Sequence, residues 1–127
     1  MVGIVLVSHS KALAEGLFEF VRIMSGQVTV IPAGGMDDGT PGTSYDKIRS
    51  AIIAADSGDG VLVIADIGSS VMTAQMVLED LPDNIEAMLA DCPMVEGAIV
   101  AGVAAESGLA LEDIVRETEE AWNTRKM

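Results

Sequence analysis

Cations, aromatic rings, cysteine and histidine are all scarce in this chain. Seven Lys and Arg stand against twenty Asp and Glu, a formal net charge of −13. Nucleic acids and anionic membrane surfaces are held by clustered Lys and Arg, so this composition argues against both and leaves basic proteins as suitable partners. A single cysteine, Cys92, excludes an internal disulfide and fits a cytoplasmic setting. With one Trp, one Tyr and two Phe in 127 residues, the core must be built from Val, Ile, Leu, Ala and Met. Such small and β-branched packing suits a parallel sheet covered by helices on both faces. No stretch of about 18 apolar residues is free of charges and breakers, so no membrane-spanning helix is expected. No basic segment precedes the first apolar run, so a secretory signal is not expected either.

Several motifs are also absent. No Gly-x-Gly-x-x-Gly follows the first apolar run, and no Gly-x-x-x-x-Gly-Lys-Ser/Thr occurs anywhere. One histidine and one cysteine, far apart in sequence, make a zinc site improbable, and no cofactor is implied. Ser8-His9-Ser10 stands where a receiver domain carries its acidic pair, which excludes an aspartyl-phosphate switch.

What is present alternates regularly. Val2 to Val7 is a continuous apolar run, as in a strand buried on both faces. Ser10 is placed to cap a helix whose Leu13, Leu17, Phe20, Val21 and Met24 share one face. A second strand is predicted from Val28 to Ile31, ending at Pro32. Ala33 to Thr43, with four glycines and no hydrophobic period, reads as a loop. Thr43 with Asp46 forms a capping box for a helix carrying Ile48, Ala51, Ile52 and Ala55. Val61 to Ala65 is the clearest central strand and closes on Asp66. Gly68-Ser69-Ser70 opens a helix through Val71, Ala74, Leu78 and Leu81, stopped by Pro82. A weaker strand near Ala87 to Ala90, a helix from about Val95 to Ser107 and a last helix from Leu111 to about Arg125 complete the pattern. Met72, Met76, Met88 and Met94 read as core filler.

The order βαβαβαβαα predicts a single α/β domain over residues 1–127. Its architecture is a doubly wound, mainly parallel sheet of about four strands in the flavodoxin-like three-layer arrangement, order 2-1-3-4, with room for a further edge strand. In that order the winding reverses between strands one and three, where ligands gather outside the carboxyl ends. His9 follows strand one and Asp66 closes strand three. Adjacent strands lie about 4.8 Å apart, so these side chains can meet. An Asp66 carboxylate accepting from Nδ1–H holds the tautomer whose Nε2 is free to act as a nucleophile. Helix N-termini after Ser10 and near Ser69 or Ser70 attract anions at the same rim, although either of the two serines is also a natural N-cap. Ser10, Gly35, Thr43, Gly68, Ser69 and Ser70 are the candidate phosphate-binding residues. The competing roles are a structural histidine and a turn aspartate.

Val7-Ser8-His9-Ser10, Leu13-Ala14-Glu15-Gly16, Ala33-Gly34-Gly35, Asp66-Ile67-Gly68-Ser69-Ser70 and Pro93-Met94-Val95-Glu96-Gly97 are spread across the whole chain. Together they closely resemble the phosphocarrier subunits of PTS-dependent dihydroxyacetone kinases, which group with the mannose-type enzyme IIA proteins. The Gly68-Ser69-Ser70 turn replaces a longer Trp-containing one usual in the sugar-transporting relatives. The resemblance implies a phosphotransferase subunit in a relay. The histidine phosphocarrier HPr passes a phosphoryl group to His9, which passes it to ADP held on the kinase's nucleotide-binding subunit. It also implies a homodimer, and the weak fourth strand leaves a sheet edge for a partner to cover. The alternatives are the IIA domain of a mannose-type sugar transporter and a non-catalytic regulatory module of the same fold.

Overall fold

The computed structural model describes residues 1–127. Its elements run β1 (Gly3–Ser8), α1 (Lys11–Met24), β2 (Val30–Gly34), α2 (Tyr45–Ala55), β3 (Val61–Ala65), α3 (Gly68–Leu78), β4 (Ala87–Leu89), α4 (Met94–Glu106) and α5 (Leu111–Glu119), closed by a 3-10 turn (Glu120–Asn123). All strand pairs are parallel, in the order β2-β1-β3-β4. This is the doubly wound α/β sheet predicted above, with four strands and no fifth. Every residue of β1 and β3 is buried. Successive side chains of a strand point to opposite faces, so Ile4, Leu6, Leu62 and Ile64 pack under α1, α4 and α5. Val5, Val7, Val61, Val63 and Ala65 pack under α2 and α3. No helix is long and apolar enough to cross a membrane.

Several local expectations need correction. The second strand does not stop at Pro32 but continues to Gly34. β2 is an edge strand, and its bonds to β1 alternate from the Thr29 carbonyl to the Gly35 amide. The missing Pro32 N–H therefore falls on the side that has no neighbour. The face α1 buries is Ala14, Leu17 and Val21, whereas Leu13, Phe20 and Met24 are 44%, 45% and 52% exposed. The close approach of α1 to β2 explains this, because only a small side chain fits against the Cβ-less Gly34.

The cap of α2 is Ser44, whose hydroxyl accepts the Lys47 amide at 3.1 Å; Thr43 is not the cap. α3 ends at Leu78 rather than reaching Leu81, its chain tightening through an Asp80 N–H bond to the Val77 carbonyl ahead of Pro82. α5 ends at Glu119 and tightens into the 3-10 turn, where the Trp122 indole N–H donates to the Asp91 carbonyl at 3.0 Å. Met72 and Met76 are not core: they are 65% and 59% exposed on α3, a helix without a single charged residue.

Gly34 also fixes how α1 meets the sheet. A Cβ there would lie 2.5 Å from the Ser10 carbonyl oxygen, 2.7 Å from Ala14 Cβ and 3.0 Å from Lys11 Cα. Two of these are backbone atoms at the start of α1 and cannot swing aside. Gly34→Ala should cost about 1–3 kcal/mol of stability, read as a lower urea midpoint. A midpoint equal to wild type would show that α1 can retreat freely.

Candidate active site at the carboxyl end of the sheet

β1 and β3 pair with Val7 opposite Ala65, and the Asp66 amide extends the ladder to the Val7 carbonyl at 3.0 Å. That register brings the β1–α1 and β3–α3 junctions side by side, at the point where the winding reverses. His9 Nδ1 lies 3.1 Å from Asp66 Oδ1 and 3.3 Å from Oδ2. The Asp66 carboxylate collects five donors: the Ser8 hydroxyl, the His9 amide, the His9 ring, the Ile67 amide and the Ser70 hydroxyl. Burial works to raise this carboxyl. The bonds from Ser70, the His9 and Ile67 amides and Ser8 outweigh it and hold the pKa down at about 2.

The donors also determine the imidazole tautomer. An ionised carboxylate only accepts, and Ser70 gives its hydrogen to Asp66 Oδ1, leaving an oxygen lone pair 2.9 Å from Nδ1. Every neighbour of Nδ1 is thus an acceptor, so Nδ1 carries the proton in the neutral ring. Nε2 is the basic nitrogen. Its neighbour is the exposed Ser69 hydroxyl at 2.5 Å, which donates to it. On the α1 side His9 opens onto a shallow depression of about 520 Å³ shared with Lys11, Glu15, Gly39 and Pro41. No group of three His, Cys, Asp or Glu side chains is arranged to hold a metal ion.

The other candidate residues divide. Ser69 and Ser70 both meet the imidazole, and neither caps α3: the N-cap is Ile67, which makes no side-chain cap bond. Gly68 is the first residue of α3, and a Cβ there would meet nothing within 4 Å. Ser10 is the N-cap of α1, its hydroxyl oxygen accepting the Leu13 amide at 3.1 Å. Gly35, at φ +70°, spends its amide on the Ser8 carbonyl rather than on the imidazole. Thr43 reaches Thr73 Oγ1 at 3.3 Å, and Thr73 donates to the Ser69 carbonyl. Thr43 therefore braces the first turn of α3 and makes no hydrogen bond to His9. The loop before α2 is anchored by the Gly42 amide on the His9 carbonyl at 2.9 Å.

Ser8 is a site residue that the sequence motifs do not single out, although it is the only hydroxyl in an otherwise apolar strand. Cys92 lines a cavity that Asp66 also borders, but its thiol is buried. Burial, then the negative charges of Asp91 and Glu119, push its thiol up to about 12. The native protein should resist thiol reagents at about pH 8 and react fully once denatured; rapid native labelling would contradict the burial.

Comparison with known proteins finds relatives over most of this chain. The model of the EIIA-man family, described as the PTS system fructose IIA component, matches residues 3–115. The phosphoryl donor subunit DhaM of the PEP-dependent dihydroxyacetone kinase of Providencia stuartii is 33% identical over 99% of this chain, which spans 28% of that protein's length. The phosphotransferase subunit DhaM of the PTS-dependent dihydroxyacetone kinase of Lactococcus lactis is 34% identical over 92% of this chain and 93% of its own. A crystal structure of a protein of unknown function superposes with a TM-score of 0.84 at 34% identity, covering 94% of each chain. With the motifs around His9 and Asp66 inside the matched span, the chain belongs to the EIIA-man family of PTS IIA components and is of the DhaM type.

Proposed function

We propose that this chain is the phosphoryl donor subunit of a dihydroxyacetone kinase, working as a phosphohistidine carrier. His9 takes a phosphoryl group from HPr and hands it to ADP held on the kinase's nucleotide-binding subunit. The observation that carries this reading is the division of labour on one imidazole. Nδ1–H is tied to Asp66 and Ser70, while basic Nε2 faces outward toward an exposed hydroxyl. The names of the DhaM relatives supply the kinase.

Transfer to such a ring exchanges one bond to phosphorus for another. Once the exposed Ser69 hydroxyl turns away, the Nε2 lone pair forms the new P–N bond as the donor's bond to phosphorus breaks, and the donor keeps that electron pair. Asp66 offsets the positive charge that develops on the imidazole. In-line placement matters more here than covalent help. Release to the ADP oxygen runs the same exchange outward and restores the Nε2 lone pair to Ser69. The site needs no residue that binds dihydroxyacetone.

The test is a stepwise relay. Phosphoenolpyruvate, enzyme I and HPr are added first and the intact mass is read, where an added mass of about 80 Da marks the phosphoryl group. The labelled chain is then offered either the ADP-loaded kinase subunit or the IIB protein of a mannose-type transporter. Discharge to ADP alone supports the kinase reading; discharge to IIB alone replaces it with the transporter reading. No label at all would leave a regulatory module. Sedimentation of the free chain tests the proposed homodimer separately.

A further inference from the structure

Ser8 closes β1 with a hydroxyl that is wholly buried. Its oxygen accepts the Ser10 amide at 2.9 Å, so its one hydrogen is left for Asp66 Oδ2, also 2.9 Å away. A buried hydroxyl at the end of an apolar strand is costly unless its bonds are made, and here both directions are used. The two carboxylate oxygens are held from opposite sides. Ile67 and Ser70, from the α3 side, donate to Oδ1. Ser8 and the His9 amide, from β1 and the turn that follows it, donate to Oδ2. Apart from the imidazole itself, Ser8 is the one side chain on that oxygen.

We propose that Ser8 is a positioning residue for phosphoryl transfer at His9, its hydroxyl fixing the Asp66 carboxylate so that the ring proton stays on Nδ1. This rests on the reading of His9 as the carrier. Without the hydroxyl, the carboxylate turns more freely about its Oδ1 bonds and its grip on Nδ1–H weakens. The neutral ring then populates the Nε2–H tautomer, whose lone pair is on the wrong nitrogen. The Ser10 amide also loses its acceptor, which loosens the first turn of α1. Since solvent does not reach Ser8, no partner protein touches it, and the effect falls on the transfer step rather than on docking.

Ser8→Ala and Ser8→Cys test this in the full chain, with folding checked by urea titration. Imidazole nitrogen NMR of the free protein is expected to show Nδ1–H in wild type, a tautomer mixture in Ser8→Ala and an intermediate mixture in Ser8→Cys, because a thiol is a weak donor. Single-turnover acceptance from phospho-HPr should slow roughly tenfold in Ser8→Ala, the scale of one lost hydrogen bond, with the half-saturating HPr concentration unchanged. If Ser8→Ala does not fold, the near-isosteric Ser8→Cys decides alone. A folded variant with wild-type tautomer and rate, or a loss confined to half-saturation, overturns the proposal. A wild-type chain that takes no label overturns the carrier reading instead, while the tautomer comparison still decides whether Ser8 holds Asp66.

Discussion

His9→Ala should gain no mass from phospho-HPr and should reduce dihydroxyacetone phosphorylation in the proposed relay to background. No other group can take over. The chain has one histidine; Cys92 is buried with its thiol pushed up to about 12; and both Asp66 oxygens are occupied by donors. The fold should survive. The His9 backbone bonds, its amide to Asp66 and its carbonyl from Gly42, are kept by alanine. The lost ring contact with Asp66 is partly exposed and should cost no more than about 1 kcal/mol. Intact mass after incubation with phosphoenolpyruvate, enzyme I and HPr, alongside a urea titration, reads both outcomes. A folded His9→Ala protein that still carries the label would falsify the central claim.

Asp66→Asn should slow both half-reactions by about 10²-fold or more, by analogy with other histidines oriented by a carboxylate. The present geometry makes the substitution harsher than its size suggests. All five partners of the carboxylate are donors, so the new NH2 must face one set of them wherever it points. It also removes the charge that favours Nδ1–H. Stopped-flow transfer from phospho-HPr and to the ADP-bearing subunit checks the effect, and unchanged rates in both steps would remove Asp66 from the site. The same variant changes the acid response of stability. The folded-state pKa of Asp66 is lowered to about 2, so the carboxylate stabilises the fold fully above its unfolded value of about 4 and loses that contribution as pH falls toward 2. Asp66→Asn should lack this contribution at neutral pH and show a flatter fall in stability below about pH 4.

How much of this was legible beforehand follows from the range of the interactions. β1 and β3 could be read because a strand buried on both faces leaves an unbroken apolar run, as in Val61–Ala65. The helical crossovers point to a parallel sheet, and the flavodoxin-like order for such a sheet places His9 beside Asp66. The end of β2 is not legible in sequence because proline normally ends a strand, and only its edge position, set by the whole sheet, makes Pro32 harmless. Periodicity locates Leu17 and Val21 on the buried face of α1 but not the rotation, imposed by a close approach to Gly34, that leaves Leu13, Phe20 and Met24 exposed. Met72 and Met76 look like core by composition alone; which side of α3 meets the sheet is a tertiary fact.

By itself the sequence determined the parallel α/β architecture, the uniqueness of His9 and its location at the end of the first strand, because local hydrophobic period and residue identity suffice for those. The pairing of β1 with β3 that makes this the switch point is tertiary. Only the tertiary structure decided which hydroxyls reach the imidazole. Ser69, Ser70 and Thr43 look alike as candidates along the chain, and Ser8 looks like one more strand residue. The first turn of α3 sends Ser69 to Nε2 and Ser70 to Nδ1, the register of β1 puts Ser8 under Asp66, and Ser44 takes the cap that leaves Thr43 free to meet Thr73. A hydrogen bond depends on fractions of an ångström and on direction, and residues about sixty positions apart acquire both only when the strands that carry them are paired.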